Sequence, residues 1–311
     1  GPIITQTYFI NETTTVPVIS LSTNPDNLFD DEIGIYSVGN ISNPNFVQDW
    51  ERPIHIEFFE PDGSSGFSID GGVKISGYMI RGFAQKPFAL FTRPKYGDNK
   101  IDYQIFPDLP ITEFKSLTLR NGGDEPSPTR FRDVLCHGLV NNTNIDIMAF
   151  RPAKVYINSV YWGIYNIREK QNEDYLAAHH SIDSDNVDML EIFGKLIVIE
   201  GDSLHYTAMV DYIENNDMND PVHYEYIKTQ MDMDNFIDYN IAEMYLANEN
   251  WSGHNVKFWR PKTAKGRWRW ILCDLDHAMN NSFYNMYEDL NKENNLYSPL
   301  FFKLLENENF K

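Results

Sequence analysis

The sequence predicts an α+β protein in two lobes, and three observations predict it. Between residue 16 and about residue 170, apolar side chains recur mostly at period two, broken by Gly, Pro, Asn and Asp, as in half-buried strands and turns. From 171 onward the apolar spacing becomes that of helices. A strand pair interrupts the helical part near 256–276, so strands and helices are segregated along the chain instead of alternating as in a parallel α/β sheet. Residues 1–15 are polar, Thr-rich and aperiodic and read as a flexible arm, which leaves a β-rich lobe at 16–170 and a mainly helical lobe at 171–311.

The elements follow in order. "VPVISLST" (16–23) alternates apolar and polar residues, and "PIHIEFFEPDGSSGFSI" (53–69) is a strand, a "PDG" turn and a returning strand. "GVKISGYMIRG" and "KPFALFTR" continue the period-two pattern, and "FKSLTLRNGG" is a strand closed by glycines. One helix is predicted in this half, about 128–141, with Phe131, Leu135 and Leu139 on one face. "KVYINSVYWGIYNIREK" (154–170) is a β-hairpin with Asn158 and Ser159 at its turn, leading into helical "NEDYLAAHH". In the second half, Asp232 or Asp234 caps a helix whose apolar face is read as Phe236, Ile237, Ile241, Met244 and Tyr245. "VKFWRP" and "RWRWILCDLD" are two strands joined by "KTAKG". Four of the six tryptophans fall within 251–270 and read as packing aromatics.

The chain of 311 residues is 42% hydrophobic, enough for one large core or two lobes. Its formal net charge of −19 argues against a nucleic-acid partner, because that affinity comes from neutralising phosphates with Lys and Arg. Any phosphate must therefore be held locally, by a few cations or a metal. No run of ~20 apolar residues exists, so no membrane span is expected. Cys136 and Cys273 give one disulfide or two buried thiols, with no CxxC, and the eight histidines show no metal-site spacing. The closing "LLENENFK" is an unfinished helical pattern and reads as a chain that continues.

The chemistry-bearing order is helix, loop, strand pair, acidic pair. In protein kinases a catalytic loop supplies an Asp, an Asn five residues later binds metal, and an Asp at a following strand end holds metal on the nucleotide phosphates. Here Asn255 lies five residues after Asn250, and the hairpin delivers Asp276, with Asp274 two residues earlier on the same side of an extended strand. Amide and carboxylate oxygens are the hard ligands that Mg²⁺ takes. The same template wants an early-strand lysine, and Lys86 in "FAQKPFAL" is placed for it. Each piece also has a plain reading: "DLD" as a solvated turn, Lys86 as a surface lysine.

Several stretches together resemble the CotH kinases, atypical secreted or spore-coat protein kinases named for spore coat protein H. They include "IEFFEPDG…GGVKISGYMIRGFAQKPFALFTRPKYG", "LTLRNGGDE…RFRDVLCHGLV", "RPAKVYINSVYWGIYNIREK" and "NVKFWRP…RWRWILCDLDHAM", spanning most of the chain from about 16. The resemblance implies a protein-kinase-like two-lobed fold, ATP with Mg²⁺ or Mn²⁺, phosphoryl transfer to Ser or Thr of a protein substrate, and secretion or a cell-surface location. It implies that Lys86 binds ATP phosphates, with Arg81 and Glu169 as further nucleotide contacts, and that Asn255 and Asp276 hold metal with Asp274 auxiliary. "YNIREK" (165–170) would sit near the hinge, and the "DGGVKISG" glycines could let backbone approach phosphates. Asp133 admits two readings, a salt bridge to Lys86 or a solvated helix face.

The departure from the family is in "NENWSGHN", where members commonly read "N-x-D-W-x-x-N-N", so Asn250 occupies the catalytic Asp position. A carboxylate accepts the proton of a substrate hydroxyl and an amide cannot, and general-base assistance is worth about 10²–10⁴-fold in rate. His277 and Ala278 also replace the Phe-Gly pair of ordinary kinases. Two functions therefore stand: a slow CotH-type kinase, or a pseudokinase that serves as a binding or scaffold protein. A metal-dependent hydrolase on Asp274 and Asp276 would need more ligands than the sequence supplies.

Overall fold

The computed structural model describes residues 5–10, 13–125, 129–291 and 295–311. It is mixed helix and sheet and divides into two compact units, Gly1–Asp124 with Ala149–Lys170, and Glu125–Met148 with Gln171–Lys311. The helix read from sequence as part of the strand-rich lobe is thus grouped with the second unit.

The first unit contains β1 (Val18–Ser22), the short helix α1 (Asp26–Phe29), β2 (Arg52–Phe59), β3 (Ser65–Ile75), β4 (Phe88–Phe91), a small pair β5 (Ile101–Asp102) and β6 (Glu113–Phe114), and then β7 (Ser116–Arg120), β8 (Phe150–Ile157) and β9 (Val160–Glu169). Seven of these form a closed barrel in the order β1-β2-β3-β4-β7-β9-β8. Closure comes from a parallel pairing of β1 with β8, Val18 opposite Lys154 and Leu21 opposite Ile157. No local signal announces a pairing of strands so far apart. The period-two residues Ile19, Leu21, Ile54, Ile56, Phe58, Val73, Leu117 and Ile167 turn inward and are buried together. The β8–β9 turn is the one the sequence predicts: Asn158 and Ser159 both have left-handed φ, 48° and 68°, the backbone that a two-residue hairpin loop requires. The described part of the N-terminal arm is held against the barrel, Thr7 N–H donating to Glu57 at 3.2 Å and the Phe9 ring set edge-on to Phe59 at 5.0 Å.

The second unit contains α2 (Arg132–Leu139), α3 (Glu173–His180), β10 (Val187–Ile192), β11 (Leu196–Glu200), α4 (Leu204–Asn215), α5 (Pro221–Gln230), α6 (Met233–Leu246), β12 (Val256–Pro261), β13 (Arg269–Ile271), α7 (Met286–Leu290) and α8 (Ser298–Leu304). The expected strand pair is half of a four-stranded sheet, ordered β11-β10-β12-β13, with β10 antiparallel to β12 over six register pairs. Trp251, Trp259, Trp268 and Trp270 are all buried, as their clustering predicts. Among the described residues no helix is long and apolar enough to cross a membrane.

Two helices bury polar residues and expose some of the apolar ones that hydropathy places inward. On α2, Leu135 and Leu139 are 45% and 54% exposed and the adjoining Phe131 51%, while Asp133, Val134, Cys136 and His137 are buried. On α6, Phe236 is buried and Ile237 and Met244 pack on the core as read, but Ile241 and Tyr245 are exposed and Asn235, Asn240 and Glu243 are buried. The physical reason is that the inward polar groups find partners. The Asn235 side chain donates to Asn144 O (2.9 Å) and Trp270 O (3.1 Å) and accepts from Trp270 N–H (2.6 Å), stitching α6 to β13. Asn240 Oδ1 accepts the Tyr297 hydroxyl at 2.7 Å. A satisfied buried amide is tolerated where an unsatisfied one would cost about 1–3 kcal/mol.

Candidate functional site

The site is built at the C-terminal end of α6. Asp232 caps that helix at its start, its carboxylate accepting the Asn235 amide N–H. Ala247, left-handed at φ 47°, ends it. The chain then makes a tight loop, Trp251 N–H donating to Asn248 O at 3.0 Å, before entering β12. Of the nine non-glycine residues with positive φ among those described, five lie here: Ala247, Ser252, Asn255, Asp274 and Met279. Such backbone persists where surrounding contacts over-determine it and clusters at functional sites.

The β12–β13 register, Lys257 opposite Ile271, leads Asn255 to the level of Cys273 beyond the strand ends, and the Cys273 thiol donates to Asn255 O at 3.2 Å. Asn255 and the start of the acidic stretch thus meet at the open end of the hairpin. The sequence-based alternation does not reach Asp276, because β13 ends at Ile271 and Asp274 is left-handed, φ 55°. Asp274 is half-buried and Asp276 is 3% exposed. Both cysteines are free, buried thiols. Burial pushes the Cys136 thiol up to about 12, and Cys273 is raised by the same cause.

Asn250 is exposed in the loop. Its neighbours are pinned: Trp251 donates its indole N–H to the Tyr239 hydroxyl at 2.9 Å, and Glu249 accepts from Asn280 Nδ2 at 3.2 Å. Behind the loop, fully buried Glu243 accepts from Asn248 Nδ2 at 3.0 Å. Burial raises its carboxyl to about 8, against the lowering effect of hydrogen bonds from Asn248 and Tyr239, and the nearby charge of Asp274 adds to the rise. Among the described residues Asn248 Oδ1 is buried with no hydrogen-bond partner.

Asp133 is not on a solvated helix face: it is 3% exposed and its Oδ1 accepts the Leu275 N–H at 3.0 Å. Nothing in the sequence pattern signalled this role, since the two residues are 142 positions apart.

In the barrel unit, Lys86 precedes β4 and is 6% exposed. Its ammonium donates to Arg81 O at 2.7 Å and Phe83 O at 3.0 Å and lies over the rings of Phe46 (4.1 Å) and Tyr36 (5.2 Å). Burial lowers its pKa. The plain reading of Lys86 as a surface lysine is therefore wrong. Its ammonium closes the 77–86 loop, and a phosphate would compete with two carbonyls. Arg81 belongs to the same loop, donating to Gly77 O and to Val47 O (3.0 Å), and Glu169 is buried, accepting from Ala149 N–H at 2.8 Å. The β3 glycines serve packing: a Cβ on Gly71 would lie 2.7 Å from Phe91 O, and one on Gly72 2.6 Å from Glu51 Oε1. An open cavity of about 590 Å³ on the barrel, lined by Asn24, His55, Asp70 and Tyr96, contains none of the predicted site residues.

Amide and carboxylate oxygens such as those of Asn255, Asp274 and Asp276 are of the type that a hard divalent cation takes together with water and phosphate oxygens. Among the described residues, no three His, Cys, Asp or Glu side chains are grouped to hold a metal by themselves. Residues 73–311, about three quarters of the chain and all of the predicted site, match the family model described as CotH kinase protein. No curated protein matches the chain.

Proposed function

The chain belongs to the CotH kinase family, and from that premise we propose that it is an atypical phosphotransferase that uses ATP with Mg²⁺ or Mn²⁺ on Ser or Thr hydroxyls of protein substrates. The observation that carries the reading is the hydrogen bond from the Cys273 thiol to Asn255 O, which sets Asn255 beside the start of the 273–276 stretch at the open end of the β12–β13 hairpin, inside the family-matched segment. In this reading the barrel unit and the helical unit are the two lobes of a kinase-like fold. Asn255 and Asp276 hold the metal, which when bound neutralises charge on the transferring phosphate. Asp274 contributes a further negative charge at the site. Lys86 reaches nucleotide phosphates once its ammonium leaves the Arg81 and Phe83 carbonyls, with Arg81 and Glu169 assigned to the same nucleotide. Asn250 orients the acceptor hydroxyl but takes no proton, so transfer is slow: phosphoryl transfer depends mostly on positioning and charge stabilisation, and the base is the missing part. The family also implies a secreted or cell-surface location.

The exposed amide at 250 and the caged ammonium at 86 favour a second reading, a pseudokinase that acts as a binding or scaffold protein. Incubation with labelled ATP, Mg²⁺ or Mn²⁺ and a Ser-rich acceptor separates the two. The kinase reading expects slow transfer by the wild type, abolished by Asp276→Ala and raised about 10²-fold or more by Asn250→Asp. A silent wild type beside an active Asn250→Asp variant establishes the pseudokinase. No thermal stabilisation by millimolar ATP with either metal removes the kinase reading and any pseudokinase that binds nucleotide, since a ligand of the folded state must stabilise it.

A further inference from the structure

We propose that Asp133 is a positioning residue, whose carboxylate holds the peptide between Asp274 and Asp276 and so sets the geometry in which Asp276 meets a divalent cation. The inference rests on the phosphotransfer reading and adds to it a residue outside the loop and hairpin.

Beyond Ile271 the chain leaves the sheet, so residues 272–278 have no β-ladder to fix them. Two consecutive residues at the start of α2 grip this stretch on either side of Asp276. The Asp133 carboxylate accepts the Leu275 N–H at 3.0 Å, and the Arg132 guanidinium donates from Nη1 to Ala278 O at 2.5 Å. Leu275 is fully buried, so its amide has no water to fall back on. His137, one helical turn along and itself buried, brings Nε2 to 3.6 Å from the same carboxylate oxygen.

The grip holds a conformation that would otherwise relax. A non-glycine residue in the left-handed region, as at Asp274, is held there by its surroundings. Ala278 N–H closes back onto Leu275 O at 3.1 Å, so the turn bearing Asp276 and His277 is tied at both ends to one helix. Partners that orient a metal ligand in this way commonly change metal affinity 10–100-fold when removed.

The hydrogen bond, and not the charge, is the stated cause, and this makes the amide variant informative. Asparagine offers the same oxygen to Leu275 N–H; alanine does not. Mn²⁺ uptake in the presence of ATP, followed by electron paramagnetic resonance, is expected to need at least about 10-fold more Mn²⁺ for half-saturation in Asp133→Ala and to stay within about 3-fold of wild type in Asp133→Asn. Hydrogen exchange at the Leu275 amide should rise in Asp133→Ala only, and metal-free ATP binding should change in neither. Equal loss in both variants, or an unchanged half-saturation in Asp133→Ala, overturns the proposal. If Asp133→Ala does not fold, Arg132→Gln tests the grip from its other end, and unchanged Mn²⁺ uptake there overturns it as well. A wild type that takes up no Mn²⁺ with ATP sinks the phosphotransfer reading itself, an outcome distinct from a wild type that binds while its variants bind equally.

Discussion

Asp146→Ala is expected to destabilise the second unit by about 3–5 kcal/mol, measured as a loss in urea or thermal unfolding. Asp146 is buried and accepts from Trp259 Nε1 at 2.8 Å, from Arg269 Nη2 at 2.9 Å and from Arg269 Nε at 3.3 Å, and His180 Nε2 lies 3.2 Å away. Its backbone carbonyl accepts the Leu272 N–H at 2.9 Å. Removal of the carboxylate strands a largely buried guanidinium, which keeps only Asp232 and Asn144, and an indole N–H with no other acceptor among the described bonds. The large cost is that of taking away one of two carboxylates from a largely buried guanidinium together with the acceptor of a buried indole, more than the net worth of the pair. Burial alone would raise the Asp146 carboxyl, but hydrogen bonds from His180 and Arg269 outweigh it and hold the group at about 2. A carboxyl held below its ordinary value contributes stability that is complete above pH 3.8 and is lost as the pH falls through 2. Wild type should therefore lose roughly 2–3 kcal/mol over that window by this group, and Asp146→Asn should show a flatter acid limb. An alanine variant within about 1 kcal/mol of wild type would remove Asp146 from this role.

Glu243→Gln is expected to stabilise the protein at pH 7–8, the opposite direction. The folded carboxyl sits near 8 against an ordinary 4.5, so the folded state keeps a proton that the unfolded chain has released. Below pH 4.5 both states are protonated and nothing is lost. As the pH rises from 4.5 to 8 stability falls by about 1.4 kcal/mol per unit, and above 8 the loss is complete. Glutamine is neutral throughout and brings amide donors beside Asn248, whose Oδ1 has no hydrogen-bond partner among the described residues. The variant should match wild type near pH 4 and exceed it by on the order of 3–5 kcal/mol at pH 8. Unfolding curves for the two proteins that stay parallel from pH 4 to 8 would show that this carboxyl is not held protonated.

Glu243 belongs to a set that hydropathy mis-reads. The interior of α6 is lined by Asn235, Asn240 and Glu243, and that of α2 by Asp133 and His137, while Leu135, Leu139, Ile241 and Tyr245 face outward. A periodicity argument assigns the inward face to the apolar residues, because transfer from water is the only energy it weighs. It goes wrong where an inward polar group meets a partner far away in sequence, as Asp133 meets Leu275 and Asn235 meets Trp270. These are the contacts that hold the candidate site, so the sequence misled most where the site is built. The β10–β11 hairpin was missed for a different reason: "VDMLEIFGKLIVIE" lies between helices and carries a run of apolar residues that is ambiguous between strand and helix.

What the sequence determined by itself was local and chemical. It determined the α+β class, the Asn158–Ser159 turn, a cap at Asp232 or Asp234, the β12–β13 hairpin and the order of Asn250, Asn255, Asp274 and Asp276, because turns, caps and strand alternation depend on a few neighbouring residues. The tertiary structure alone decided the parallel closure of the barrel, the grouping of 125–148 with the helical unit, the cage around Lys86 and the inward turn of the polar faces. Each of these rests on hydrogen bonds or ring contacts between segments tens to more than a hundred residues apart, and the free energy of a buried polar group is set by the partner it finds, which its own neighbours in sequence do not specify.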